Sequence, residues 1–464
     1  MVLRSNSPLI SLIWLAVLIV AGQLHAQKLE IGPTRAMADE SVAIRVTGLQ
    51  PNEHITIRAH LVDGAGQVWE SEVEFAADSQ GTVDASKQPP IKGSYSEVSA
   101  MGLVWSMKPQ EKNVSAYQPP HELAPQGIDF VLLRNNQEIS RAKLEQRFIA
   151  DDVQRILVKG QLHGVLFLPS GAERHPGVLV VGGSEGGIPA QKAAWLASHG
   201  IAAFALAYFR YEGLPPELEG IPLEYFGSAL GWMMQRPEII PDRIGIVGTS
   251  RGGELALQLG SMYPQIKAVV AYVPADVRYP ACCGNTRVPY AWTWKGQPLA
   301  YALPRMMGTE RMNAAISVEQ THGPLLLIGA QDDGVWRSAT MVDEIASRLK
   351  RDHFQYPVEV LEYPHAGHRA GRPEITPTWH GVIRHPVSGK EMDIGGTPVG
   401  DAESSLDAIP KVLGFLRETL EKPLSTNWRK RKAWAQIYGA PGYSFPDPEL
   451  GRAGHPFQCG TFCP

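Results

Sequence analysis

Two kinds of hydrophobic pattern divide the chain. Between residues 27 and 148, apolar and polar positions alternate in short runs. The runs 41–46 and 54–59 are rich in β-branched residues and flank the turn-forming cluster Gly48-Leu49-Gln50-Pro51-Asn52. Two further runs, within 61–75, surround Asp63-Gly64-Ala65-Gly66. Alternation puts every second side chain on one face, and short strands at this spacing predict an all-β sandwich. A denser apolar patch, Met101-Gly102-Leu103-Val104-Trp105-Ser106-Met107, is expected to pack against the part that follows. From residue 149 the pattern changes. A hairpin is expected over 157–168, then strands over 177–181, 201–206, 244–247, 267–273, 325–328 and 358–363. The run 177–181 is too apolar to leave one face in water. Helical periodicity lies between them, at 191–198, 223–234, 254–259 and 338–349, and closes the segment at 407–420. Fully apolar strands alternating with helices predict an α/β fold, a mostly parallel sheet covered on both faces. The domain expected over 149–424 carries a long Pro- and aromatic-rich insertion at about 274–320, and 425–464 reads as a tail with the basic run Arg429 to Lys432.

Composition narrows this picture without changing it. The 464 residues call for two or three domains, and 44% apolar with 19% charged residues is the balance of a globular protein. A net charge of −4 argues against a nucleic acid or an anionic membrane as the main partner. Arg4, the apolar run 9–22 and the small residue Ala26 together predict a cleaved leader over 1–26. The mature chain then starts at Gln27, is exported to a periplasmic or extracellular space, and keeps no stable membrane span. The oligomeric state is not legible. The four cysteines, Cys282, Cys283, Cys459 and Cys463, permit two disulfides in an exported protein. Vicinal pairing strains the intervening peptide, so Cys282 and Cys283 are expected not to bridge each other. Cys459 has Cys463, or either cysteine of the 282–283 pair, within its choices. With only His455 as a further ligand in the tail, no metal is expected, and no cofactor motif is present.

The chemistry concentrates at Gly248-Thr249-Ser250-Arg251-Gly252, a G-x-S-x-G pattern between an apolar strand and a helix. Such a serine sits on a tight strand-to-helix turn, where a Cβ on either flanking glycine would strike its neighbours. A serine hydroxyl needs a base and a carboxylate to orient that base, and on this fold they follow in the order acid, then histidine. After the strand 325–328 comes Gly329-Ala330-Gln331-Asp332-Asp333; Asp332 is the expected acid and Asp333 the alternative. After the strand ending at Tyr363 comes Pro364-His365-Ala366-Gly367-His368; His368 is the expected base and His365 the alternative. Two backbone N–H groups are expected to form an oxyanion hole. One belongs to Arg251, the other to Ser184 or Glu185 in the glycine-rich turn 182–187.

Several longer stretches carry a resemblance. Gly48-Leu49-Gln50-Pro51, Trp69-Glu70-Ser71 and 101–107 in the β-rich half, with 205–215, 221–226 and Gly395-Gly396-Thr397-Pro398 in the other, are similar to the acyl-CoA thioesterase and bile-acid-CoA:amino acid N-acyltransferase family. The resemblance covers roughly residues 30–420. It implies an α/β-hydrolase domain behind a β-sandwich, no cofactor, and a nucleophile-Asp-His triad falling on Ser250, Asp332 and His368. The conjugating branch of that family uses cysteine as nucleophile, so a serine here favours hydrolysis. Tyr208 and, in the insertion, Tyr290, Trp292 and Trp294 are the aromatic residues expected to wall the acyl pocket.

The expected function is therefore a serine-dependent hydrolase of small-molecule acyl thioesters or esters. An acyltransferase to an amine or alcohol and an exported serine peptidase are the alternatives, with a binding protein on an inactive hydrolase scaffold as the reading from another class. CoA esters are scarce outside the cytoplasm, so export points to another ester or thioester as substrate.

Overall fold

The β-rich half is a sandwich of two sheets. The smaller pairs Lys28–Gly32 with Ala43–Thr47 and then Val83–Asp84. The larger is built on the antiparallel strands His54–Val62, Val68–Ala76, Gln126–Arg134 and Gln137–Arg147, with short strands at its edges. His54–Val62 buries every second residue, so Ile55, Ile57, Ala59 and Leu61 face inward and His54, Thr56 and Arg58 do not. That is the alternation the sequence carries. The computed structural model describes residues 27–421 except 113, 115, 304–307 and 386–387. The leader read in 1–26 and the tail 425–464, with Cys459, Cys463 and its basic run, lie outside the described residues.

The second half holds one eight-stranded sheet. Its strands are β1 (Gln154–Val158), β2 (His163–Leu168), β3 (His175–Val181), β4 (Ala202–Ala207), β5 (Ile239–Thr249), β6 (Ile266–Tyr272), β7 (Leu325–Ala330) and β8 (Val358–Tyr363). They lie in the order β1-β2-β4-β3-β5-β6-β7-β8. β2 is antiparallel to β1 and to β4, and every other pairing is parallel. This is the α/β-hydrolase sheet. The helices packed on its faces are α1 (Ala190–Ser198), α2 (Glu224–Met234), α3 (Arg251–Met262), α4 (Ser338–Arg351) and α5 (Pro398–Leu420).

The parity of side chains on the strands decides what covers each face. Val178, Val180, Ala203, Ala205, Val270, Leu326 and Ile328 share one hydrophobic cluster with α1, α5 and the β-sandwich. Their neighbours Leu179, Val181, Phe204, Leu206, Val269 and Leu327 share another with α2, α3 and α4. A strand flanked by helices on both sides must be apolar at every position, which is why these runs do not alternate. The patch at 101–107 contributes a short buried helix, Gly102–Trp105, and the Trp105 carbonyl accepts the Thr378 N–H at 3.3 Å. Gln146 and Trp379 add side-chain hydrogen bonds to Ile375 O and Tyr117 O, so the sandwich is tied to the loop that follows β8.

Two expectations about local structure are corrected. α5 begins at Pro398, not near 407, because Thr397 caps it: its hydroxyl accepts the Gly400 N–H at 3.0 Å, with Pro398 in the first helical turn. Cys282 and Cys283, expected to stay apart, are joined to each other with their Cα atoms 3.4 Å apart. Cys282 is held by two hydrogen bonds with the Leu218 backbone, and Cys283 takes a φ of 152°, a backbone shape the sequence does not announce. Among the described residues, no helix is long and apolar enough to cross a membrane.

Candidate active site

Ser250 stands between the end of β5 and the first turn of α3 with φ 59° and ψ −121°. A non-glycine residue in this region is strained, by about 1–3 kcal/mol, and persists only where its surroundings impose it. Here they do. A Cβ on Gly248 would lie 1.9 Å from Gly252 O, and one on Gly252 would lie 2.3 Å from Gly182 O, so neither site admits a side chain. The Ser250 N–H donates to Tyr272 O at 2.9 Å, which pins the turn to the end of β6.

The Ser250 hydroxyl is 2.8 Å from His368 Nε2. The other ring nitrogen, Nδ1, is 3.0 and 2.9 Å from the two carboxylate oxygens of Asp333. With the proton on Nδ1, the imidazole donates to Asp333 and accepts from Ser250. All three groups are buried, the Asp333 side chain completely. A hydroxyl bonded to an imidazole that a carboxylate orients can become a nucleophile.

The acid in contact is Asp333, not Asp332. The segment at 394–396 threads between the two loops and sets their register. Asp333 forms a backbone bridge with Gly395, Gly396 N–H donates to Asp332 O at 3.1 Å, and His368 N–H donates to Ile394 O at 2.7 Å. Asp333 also accepts from the amides of Val335 and Trp336. The Asp332 side chain turns outward, half exposed, and pairs at 3.4 Å with exposed His365. His365, the alternative base, thus lies away from Ser250 with Asp332. Beside the acid, Asp401 accepts the Gly367 N–H at 2.8 Å; burial pushes its carboxyl up to about 7, and the nearby Asp333 acts in the same direction.

The turn 182–187 runs against Ser250. A Cβ on Gly183 would stand 3.4 Å from Ser250 Cβ and 3.1 Å from Thr249 O. The Gly183 N–H donates to the Glu185 carboxylate at 3.2 Å, and the Ser184 hydroxyl lies 3.0 Å from His385 Nε2. Opposite this turn, Arg251 opens α3, where the first N–H groups of a helix have no intrahelical acceptor.

Residues 39–160 match the family profile described as acyl-CoA thioester hydrolase/BAAT N-terminal region, and 221–281 with 297–422 match that of the BAAT/acyl-CoA thioester hydrolase C terminal. Acyl-coenzyme A thioesterase 6 of Mus musculus is 31% identical over 424 residues, which span 86% of this chain and 98% of that protein. The peroxisomal succinyl-coenzyme A thioesterase of Mus musculus is 30% identical, over 85% of this chain and 97% of its own. Acyl-coenzyme A thioesterase 1 of Homo sapiens is 29% identical, over 83% and 95%. The chain belongs to this family of acyl-CoA thioester hydrolases.

In this thioester hydrolase the aromatic residues expected to wall the pocket take the following places. Tyr208 is buried against Phe209, Phe226 and Trp292, and its hydroxyl donates to Gly182 O at 2.7 Å. It holds the glycine turn from behind. Trp292 is fully buried, and its indole N–H donates to Glu254 at 2.7 Å. Trp294 packs edge-on against Tyr263, and Tyr290 O accepts the Gly220 N–H. Among the described residues, the aromatic ring that meets His368 is Trp336, edge-on at 5.0 Å and stacked on Tyr279 at 5.3 Å.

Sequence reasoning passed over Trp336, Tyr279 and Glu254. Glu254 lies one turn after Ser250 on α3, wholly buried. It accepts from Trp292 Nε1 and Tyr279 N–H and faces Arg251 Nε at 3.3 Å. Burial is the main force raising its carboxyl pKa, against the pull of Arg251. The insertion is therefore clamped onto α3 by a carboxylate that helical periodicity alone would have marked as one more polar position. A glutamate inside an otherwise apolar helix start was the available signal.

Proposed function

We propose that the chain is a serine-dependent acyl hydrolase that cleaves acyl thioesters or esters through an acyl-Ser250 intermediate. The observation that carries this reading is the continuous chain of hydrogen bonds from Ser250 through His368 to Asp333, at 2.8 and 2.9 Å. His368 takes the Ser250 proton as the oxygen attacks the acyl carbon. Asp333 stabilises the resulting imidazolium and keeps its second nitrogen aimed at Ser250. The oxyanion that forms is met by the Arg251 N–H and by an amide of the 183–185 turn, Ser184 or Glu185. The imidazolium then protonates the leaving thiolate or alkoxide, and water activated by His368 releases the acid.

Hydrolysis is favoured over transfer. An acceptor outcompetes water only when it is held with its nucleophilic atom about 3–3.5 Å from the acyl carbon. Among the described residues, the ring against His368 is Trp336, whose indole N–H is already spent on Val273 O at 3.0 Å. With acyl-CoA and p-nitrophenyl ester substrates, free acid is expected as the main product even with millimolar glycine, taurine or glycerol present. Mass spectrometry of the products checks this; a conjugate exceeding the free acid for any acceptor would make the protein a transferase.

Export completes the proposal. The charged start, the apolar run 9–22 and Ala26 support cleavage before Gln27. Protein recovered from its native host is expected to begin at or near Gln27 by mass spectrometry. Recovery of intact Met1, or of cytosolic protein alone, would overturn export and restore CoA esters as the natural substrates.

A further inference from the structure

One hairpin joins the two sides of the candidate site. It pairs Val382–Arg384 with Glu391–Asp393 in antiparallel register. Its base sits on the loops that carry Asp333 and His368. Gly381 N–H donates to Gly395 O, and Ile394 N–H donates to Gly381 O, each at 2.8 Å. This is the segment whose Gly395 bridges Asp333 and whose Ile394 carbonyl accepts the His368 N–H. A Cβ on Gly334, the residue after Asp333, would lie 2.8 Å from Asp393 O, so the returning strand of the hairpin lies directly on the acid loop.

The hairpin also reaches the glycine turn. His385 follows its first strand and is buried. The His385 N–H donates to Lys390 O at 2.8 Å, and its carbonyl accepts the Gly389 N–H at 2.9 Å, so the backbone beneath the ring is fixed. The tautomer of the ring follows from a third bond. The Ser388 N–H donates to His385 Nδ1 at 3.2 Å. A backbone N–H can only donate, so Nδ1 bears no proton, and the neutral ring carries its proton on Nε2. That Nε2–H lies 3.0 Å from Ser184 Oγ and donates to it. Burial lowers the His385 pKa below its ordinary value; Arg210 acts in the same direction and Glu185 against it. The neutral ring that both bonds require is thereby favoured. The reaction above makes no use of this histidine.

We infer that His385 is a positioning residue for the oxyanion hole: by holding the Ser184 hydroxyl it fixes the 183–185 turn, whose amide meets the charge that forms on the acyl oxygen. This rests on the acyl-hydrolase reading and deepens it. Donors stabilise an oxyanion to the extent that they already stand in place when it forms. The Tyr208 hydroxyl holds Gly182 O at 2.7 Å, and Arg210 holds Glu185 O at 3.1 Å. Ser184 lies between these two anchors, and His385 supplies a side-chain hold there. Because the hairpin is rooted on the acid and base loops, the same contact keeps the proton acceptor and the oxyanion donors in one frame.

The test separates positioning from plain support of the fold. On the full chain, kcat and KM are measured for butanoyl-CoA and p-nitrophenyl butanoate, with Ser250→Ala as blank. Inhibition is measured with propyl trifluoromethyl ketone, which forms an oxyanion when a serine adds to it, and with butanoate, which forms none. His385→Phe and Ser184→Ala are each expected to lower kcat by about 10- to 100-fold for both substrates, with KM within about twofold. The ketone should bind more weakly by a similar factor, and butanoate as before. The double variant should lose no more than either single one, because both remove the same hydrogen bond. His385→Gln, which can still offer an N–H to Ser184, should recover part of the loss. Circular dichroism establishes folding; if His385→Phe does not fold, Ser184→Ala and His385→Gln decide. Unchanged kcat and ketone affinity in a folded His385→Phe protein overturn the inference and leave the hydrolase reading intact. So do losses that multiply in the double variant, or a rise in KM confined to butanoyl-CoA, which would give the hairpin to the leaving group. If the wild-type protein hydrolyses neither substrate, the underlying reading fails and this inference with it.

Discussion

Ser250→Ala and His368→Ala are each expected to lower kcat/KM for an acyl ester by about 10³-fold or more, with thermal melting little changed. The two side chains share one hydrogen bond at 2.8 Å, so their double variant should lose no more than either single one. The decisive comparison is between the adjacent aspartates. Asp333→Asn keeps the shape of the side chain but lets an amide face His368 Nδ1. The proton then has no reason to stay on Nδ1, and the ring can turn an N–H rather than a lone pair toward Ser250. A loss of about 10⁴-fold is expected from the wrong tautomer alone. Asp332→Asn touches only the exposed pair with His365, and exposed pairs contribute little. Its kcat/KM should stay within about twofold of wild type. A severe loss in Asp332→Asn with an active Asp333→Asn would mean that a different loop conformation operates in solution.

How much of this was legible in the sequence follows the range of the interactions involved. The catalytic sheet was readable because a strand covered on both faces must be apolar throughout, and β3, β4, β6 and β7 are buried at nearly every position. Ser250 and His368 were readable because each lies just past a strand of this sheet, in a turn whose glycines mark it. The acid was not. Asp332 and Asp333 are neighbours after the same strand, and which one faces His368 depends on the bridge from Asp333 to Gly395, which arrives from far along the chain. Local pattern holds no information about that register. The partner of one insertion aromatic was hidden for a related reason. Trp292 was assigned from its place in the insertion, whereas its partner is Glu254, on the nucleophile helix. A polar residue facing a core has to find a partner, but the sequence does not say which one. The start of α5 is a milder case: Thr397 and Pro398 are a legible cap, and Gly395-Gly396 before them drew attention as a motif instead of a helix boundary.

Gly252→Ala is expected to disable the enzyme while leaving Ser250, His368 and Asp333 in the sequence. The added Cβ would lie 2.3 Å from Gly182 O and 2.6 Å from Val181 O, both backbone atoms at the end of β3. Neither can swing away as a side-chain end would. The first turn of α3 must therefore move back from the 182–187 turn, and these are the two pieces proposed to share the oxyanion. Separating them by about 1 Å is expected to lower kcat by about 10²-fold, and overpacking at a closed backbone contact to destabilise the fold by about 1–3 kcal/mol. Gly231→Ala is the matched control. It lies inside α2 with nothing within 4 Å of the new Cβ, so alanine's better helix propensity should raise the melting point slightly and leave kcat as it was. Thermal melts and initial rates on the same preparations separate the two terms. If Gly252→Ala were as active and as stable as Gly231→Ala, the close contact between the nucleophile turn and the glycine turn would not exist in solution, and the proposed oxyanion hole would lose its geometric basis.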